Sequence, residues 1–289
     1  MDRETRGMEA RTEAFAEVLR KGEVKGAPPR GTVERWAWDH VTTTDLARKL
    51  APPAPPRLWE EPPVPRRLLL PGRPAELVRA ERAPKSGGKE ALRSRRRRAQ
   101  AFHTFLHHEL QAAELMAFAL LAFPEAPLAF KLGLLRVHHD EVRHMELYAE
   151  HLGSLGHRYG DFPVRDWFWE RVPRAPTPAH FVAVMGVGFE GGNLDHAARF
   201  QDRLLAAGDP GGAALQARVG EEEIMHARFA LRWFCRFTGK AEATFEDFAA
   251  HLPPPLTPTV MRGRPLARDA RIRAGYTESF LDALEVWAP

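Results

Sequence analysis

A single cysteine, Cys235, occurs among 289 residues. The chain cannot close a disulfide on itself, which fits a reducing compartment and gives the expectation of a cytoplasmic protein. Long apolar runs are also missing. The longest, Leu115 to Phe123, falls far short of the ~20 residues that span a bilayer, so no membrane association is expected. The first twenty residues are charged throughout and lack the apolar stretch of a secretory signal. No strand-like alternation competes with the helical spacing over residues 90–240. A strong charge of one sign is absent too: Lys+Arg number 42 against Asp+Glu 38. The small basic excess is partly local, in Arg93 and Arg95 to Arg98.

Proline, by contrast, is plentiful at 25 residues, and its uneven placement divides the chain. Residues 1–25 read as one polar helix, and Trp36 to Leu50 as a second, with Thr44 or Asp45 as an N-cap. From Pro52 to Pro84 proline saturates the sequence, so the backbone there is expected to be extended. The apolar Leu58, Trp59 and Leu68-Leu69-Leu70 point to an arm lying on the main domain. Lys85 to Gly88 reads as a loop.

Residues 90–240 change character. Four segments with helical apolar spacing, roughly 90–123, 127–153, 178–207 and 212–238, are separated by proline and glycine punctuation. This pattern predicts an all-α four-helix bundle with one long central connection. It is preceded by an arm over 1–89 and followed by a tail over 241–289 that is helical at 268–287.

Two Glu-x-x-His motifs occur, Glu141 to His144 and Glu223 to His226. Residues three apart share a helix face, so each motif can present a carboxylate and an imidazole to one ion. Glu109 lies 32 positions before Glu141, and Glu190 lies 33 before Glu223. The midpoint of the first pair falls in the Pro124–Pro127 break and that of the second beside the Gly208–Gly212 break. Partners equidistant from a helix–helix connection stand at matching heights. Glu109, Glu141, His144, Glu190, Glu223 and His226 thus form the ligand set of di-iron and di-manganese carboxylate bundles. The plain alternative is a charged bundle surface. Glu114 falls on another face and too close to its loop. Glu222 could pair with His226, four residues on. His107, His108, His138 and His139 read as exposed or supporting residues.

Gly186, Gly188, Gly191 and Gly192 surround Glu190 in a segment that must be helical. Each costs about 1 kcal/mol relative to alanine. The cluster suggests a π-bulge or, alternatively, close helix–helix packing. Asn193 or Asp195 is expected to hydrogen-bond a ligating side chain. Tyr148 follows His144 by four, on the metal-facing stripe. It resembles in offset the radical-bearing position of the small subunit of ribonucleotide reductase, although a core tyrosine bonded beside the site is the simpler reading. Trp233 reads as core.

The stretches Pro71-Gly72-Arg73-Pro74, His108 to Ala112 and Ala267 to Tyr276 resemble the ferritin-like family called domain of unknown function 455. The resemblance runs from about residue 60 to the C-terminus. It implies a ferritin-like fold and the same six ligands, and no established reaction.

From these features the expected function is a di-iron oxidoreductase. It would use two iron ions (manganese or a mixed pair being the alternatives) with dioxygen as co-substrate. It would hydroxylate or otherwise oxidise a small organic or nucleoside-like substrate, with an external electron donor, as a monomer or dimer. The other reading is a non-catalytic metal-binding, ferroxidase or iron-handling protein. An RNA substrate is a lesser alternative, suggested by resemblance to tRNA-hydroxylating members of the superfamily and by the arginine run, which otherwise reads as a solvated helix start.

Overall fold

The computed structural model describes residues 26–81 and 89–288. The polar helix expected over 1–25 and the loop at Lys85–Gly88 lie outside them. Among the described residues every regular element is helical, and the only bridges are the isolated pairs Thr32–Leu58 and Arg79–Val164. No helix among them is long and apolar enough to cross a membrane.

Two short helices come first, α1 (Val33–Thr42) and α2 (Leu46–Leu50). The single helix expected over Trp36–Leu50 is therefore broken. Asp45 causes the break by capping α2, its Oδ1 accepting from Ala47 N at 2.9 Å and Arg48 N at 3.2 Å. Four long helical stretches follow. They are α3 (Arg95–Ala122), α4 (Leu128–Ser154), a continuous run of α5 (Pro178–Phe181), π1 (Val182–Glu190) and α6 (Gly191–Ala206), and then α7 (Pro210–Thr238). α3 packs on α4, α7 packs on π1 and α6, and α4 packs on α7. The C-terminal part contains α8 (Phe245–Ala250), α9 (Arg268–Ala274) and α10 (Glu278–Val286). The helix expected over 268–287 is split at Gly275, whose φ of 110° is one that glycine adopts without strain.

From Glu109 to its end at Ala122, α3 is buried on every side. One face meets the other long helices, and α1, the proline-rich arm and the 155–177 connection cover the rest. The arm is held by polar groups as well as by the buried Leu68 and Leu77. Arg67 donates to the carbonyls of Ala175 (2.8 Å) and Pro176 (2.9 Å), and Arg66 N donates to Leu121 O (2.8 Å). Leu58, Leu69 and Leu70 are exposed, contrary to the role expected of them; Leu68 is buried and Trp59 half-buried under the Lys131 ammonium. Gly72 lets the arm touch α1, since a Cβ there would stand 2.1 Å from Thr42 O.

Glu114 explains why a carboxylate stands on the outer face of α3. It is fully buried and accepts from Lys49 (2.6 Å), both Arg73 terminal nitrogens (2.6 and 2.8 Å) and Trp169 Nε1 (2.8 Å). Burial alone would raise its pKa, yet Arg73 and Lys49 hold it down to about 2. One anion thereby ties α2, the arm and the central connection to the long helices.

The glycine cluster meets both expectations at once. The helix is opened into nine residues of π-helix, and it is also tightly packed. A Cβ on Gly186 would lie 2.1 Å from that of Ala230, and one on Gly191 2.1 Å from Tyr276 Oη. Tyr276 Oη donates to Val187 O at 2.7 Å, satisfying a carbonyl of the widened turn.

Candidate metal centre

The structure brings Glu109, Glu141, His144, Glu190, Glu223 and His226 together, all six buried. They fall into two overlapping groups. Glu109, Glu141, His144 and Glu223 form one, and Glu141, Glu190, Glu223 and His226 the other; within each, the donor atoms lie within 4.8 Å of one another. Glu141 and Glu223 belong to both, and each points one oxygen to either side. His144 Nδ1 is 3.5 Å from Glu141 Oε2 and from Glu223 Oε1. His226 Nδ1 is 3.1 Å from Glu141 Oε1 and 2.9 Å from Glu223 Oε2. Glu109 completes the first group, 3.5 Å from His144 Nδ1, and Glu190, the last residue of π1, completes the second.

Whether this arrangement fits metal can be tested on its unmet bonding capacity. Both oxygens of Glu141, Oε1 of Glu190, Oε1 of Glu223 and Nδ1 of His144 are buried with no hydrogen-bond partner. Orphaned buried acceptors on this scale are costly unless a cation takes them up. Burial, reinforced by Glu141, drives the Glu109 carboxyl well above its usual pKa, and burial with Glu223 does the same to Glu190. Burial would lower His144, but the carboxylates of Glu109 and Glu141 outweigh it and push the imidazole up to about 11. Four carboxylates offset the charge of two divalent ions, and hard oxygens with imidazole nitrogens suit iron or manganese.

The outer faces of the two histidines show a reciprocal arrangement. His144 Nε2 donates to Glu222 Oε2 at 2.8 Å, and His226 Nε2 lies 3.4 Å from Asp140 Oδ2. The residue preceding each shared glutamate thus holds the histidine of the opposite helix. Arg143 ties the two together, donating to Glu222 (3.0 and 2.6 Å) and to Asp140 Oδ1 (3.3 Å). With Nε2 held as the donor, a cation that displaces the inner proton would find Nδ1 as its ligand atom.

Glu222 therefore serves His144 rather than His226, and Asp140 was not singled out by sequence at all. The expected supporting role of Asn193 or Asp195 is not found. Asp195 instead pairs with the buried Arg271 (3.0 and 2.7 Å) and accepts from Gly263 N and Ala267 N. Tyr148 is buried; its Oη accepts from Gln216 Nε2 at 3.2 Å, and its ring lies against Phe102 and Phe105. Burial, with Glu109 next, raises its pKa well above the usual tyrosine value. Trp233 is buried against Phe130. His107 is bonded to Tyr159 (2.6 Å), and His138 is buried against Trp36 and His40.

A cavity of about 310 Å³ reaches the cluster, touching Glu109 and Glu190. Trp167, Phe168 and Phe189 supply its aromatic wall, and His108 and Asn193 line it as well. Within the arginine run, Arg96 lies over the Phe162 ring and Arg97 donates to Gln100 Oε1. Arg95 donates to Leu155 O and Ser154 O, Arg98 to Leu92 O, and Arg93 pairs with Glu90.

Residues 25–282 match a protein family described as a protein of unknown function, DUF455. The chain belongs to that family. An uncharacterized protein of Haemophilus influenzae is 27% identical over 211 residues, covering 69% of this chain and 72% of the relative. No solved structure matches.

Proposed function

We propose that this chain is a ferritin-like four-helix-bundle protein holding two iron ions, and that it activates dioxygen to hydroxylate or otherwise oxidise a small organic or nucleoside-like substrate. The observation that carries the reading is the pair of overlapping ligand groups sharing Glu141 and Glu223, with a cavity running onto Glu109 and Glu190. Glu109, Glu141, His144 and Glu223 would hold one ion, and Glu141, Glu190, Glu223 and His226 the other. When bound, such a pair supplies the electrons and Lewis acidity for reductive activation of dioxygen.

The chain's own residues do the rest. Glu141 and Glu223 fix the two positions relative to each other, because each spans both groups. Glu222 and Asp140 hold the Nε2 protons of His144 and His226, which sets the tautomer and the ring direction. Glu109 and Glu190 face the cavity, so substrate would approach from their side. The aromatic wall excludes water from that approach. An external electron donor would be needed for turnover. An iron-handling role would leave an aromatic cavity at the site without use.

The test is to load the protein anaerobically with Fe(II) and mix it with air-saturated buffer in a stopped-flow spectrophotometer. A visible or near-ultraviolet transient faster than that of free Fe(II) is expected. Oxidation no faster than in buffer would overturn the oxygenase reading.

A further inference from the structure

We infer that the cavity beside Glu109 and Glu190 binds a neutral, planar heteroaromatic molecule of one or two fused rings, held against Phe168 and Phe189 and read along its polar edge by Asn193 and His108. The inference rests on the proposed site but concerns binding alone.

Shape comes first. A volume near 310 Å³ lies at the small end of ligand pockets, room for one or two rings rather than a long chain. The Phe168 and Phe189 rings are stacked, 4.9 Å apart at 16°, and Trp167 leans on Phe189 at 5.1 Å. His108 tilts over Phe168 with ring centroids 5.0 Å apart. A flat π-system extends such a stack with offset or edge contacts, which favour it over a saturated ring of the same size.

Charge comes next. Arg165, at the rim, is bound to Glu170 through both Nε (3.1 Å) and Nη2 (2.9 Å). His196 Nδ1 faces Arg199 Nη2 at 2.6 Å and His103 Nε2 accepts from Gly160 N at 3.0 Å, so both rings serve as acceptors and are neutral. Glu109 and Glu190 are spoken for by the ions, whose charge the four carboxylates offset. The wall thus offers neither a free cation for an anionic substrate nor a free anion for a cationic one.

Polar handles remain. Among the described residues the side chains of Asn193 and His108 have no hydrogen-bond partner in the chain, though both line the cavity. The amide presents a donor beside an acceptor, the pattern that pairs with a ring nitrogen flanked by an amino or carbonyl group. A ligand lacking that edge would leave them unpaired, which is how such sites discriminate.

The test is isothermal titration calorimetry on the Zn(II)-loaded full chain, where no oxygen chemistry can intervene, with adenine, benzoate and cyclohexanol as probes. Adenine is expected to bind at least tenfold more tightly than either of the others. Asn193→Ala should weaken adenine about tenfold, and Phe168→Ala likewise. Because Phe168→Ala could loosen the fold, Asn193→Ala, which removes no internal bond, is the deciding variant. Equal or tighter binding of benzoate or cyclohexanol, no adenine binding, or adenine binding unmoved by Asn193→Ala would each overturn the inference. A protein that binds adenine but shows no transient with oxygen would instead refute the oxygenase reading alone.

Discussion

Glu222 Oε2 accepts a hydrogen bond from His144 Nε2 at 2.8 Å, although the two residues lie on different helices, α7 and α4. The bond orients an imidazole whose other nitrogen faces three carboxylates. Outer partners of this kind typically carry 10–100-fold of metal affinity. Glu222→Ala should therefore weaken metal binding by about that factor, as read by competition with a chromophoric chelator. Asp140→Ala, which removes the longer 3.4 Å contact, should cost less.

Glu114 makes the fold sensitive to acid. Its carboxyl sits at about 2 against an ordinary 4.5. A depressed carboxyl contributes stability that is complete above its unfolded pKa and is lost as pH falls toward its folded one. The contribution, about 3 kcal/mol, should disappear between about pH 4.5 and 2. Glu114→Gln should cost ~3–5 kcal/mol near pH 7, because Lys49 is left buried without an anion and Arg73 keeps only Asp166. Urea titrations of both proteins should converge as the pH is lowered through that window.

Gly186 has no room for a side chain. Its Cβ would meet that of Ala230 at 2.1 Å, so Gly186→Ala should destabilise the protein by about 1–3 kcal/mol through overpacking. The compensating Ala230→Gly change in the same chain should recover part of the loss. Thermal denaturation of the two single variants and the double variant checks this, and additivity without recovery would contradict the contact.

Much of this architecture was legible beforehand, for particular reasons. Pro124, Pro127, Pro178 and Pro210 stop or start helices through the backbone itself, so the long helices fall within a few residues of where punctuation places them. The six clustered residues were legible because equal distances from a helix connection imply equal height. The glycines around Glu190 announced an opened helix. What escaped depends on rotation and docking between elements. The crossing of Glu222 to His144 and Asp140 to His226 is set by how α4 and α7 turn toward each other, which spacing within one helix does not encode. The arm's attachment through Arg67 and Arg73 looked, from the sequence, like a job for its leucines. α8 is six residues long, too short to stand out from its own periodicity, and it owes its existence to packing by Phe245 and Phe248.

Tyr276 reaches the π-helix from the C-terminal segment, and Arg271 holds Asp195 one turn beyond Glu190. Tyr276→Phe removes the bond to Val187 O. It should cost about 1 kcal/mol of stability and lower affinity for the ion held with Glu190 more than for the ion held with Glu109. Stepwise metal titration followed by calorimetry would show one of two binding steps weakened, whereas equal weakening of both would argue against a local role.

Six residues are proposed to hold two metal ions, and metal stoichiometry tests this most directly. Protein loaded anaerobically with Fe(II), desalted and measured by plasma mass spectrometry should carry two ions per chain. Glu141→Ala combined with Glu223→Ala should reduce this to near zero, since both residues serve both positions. Less than one ion per chain in the unmodified protein, or two retained in the double variant, would contradict the account.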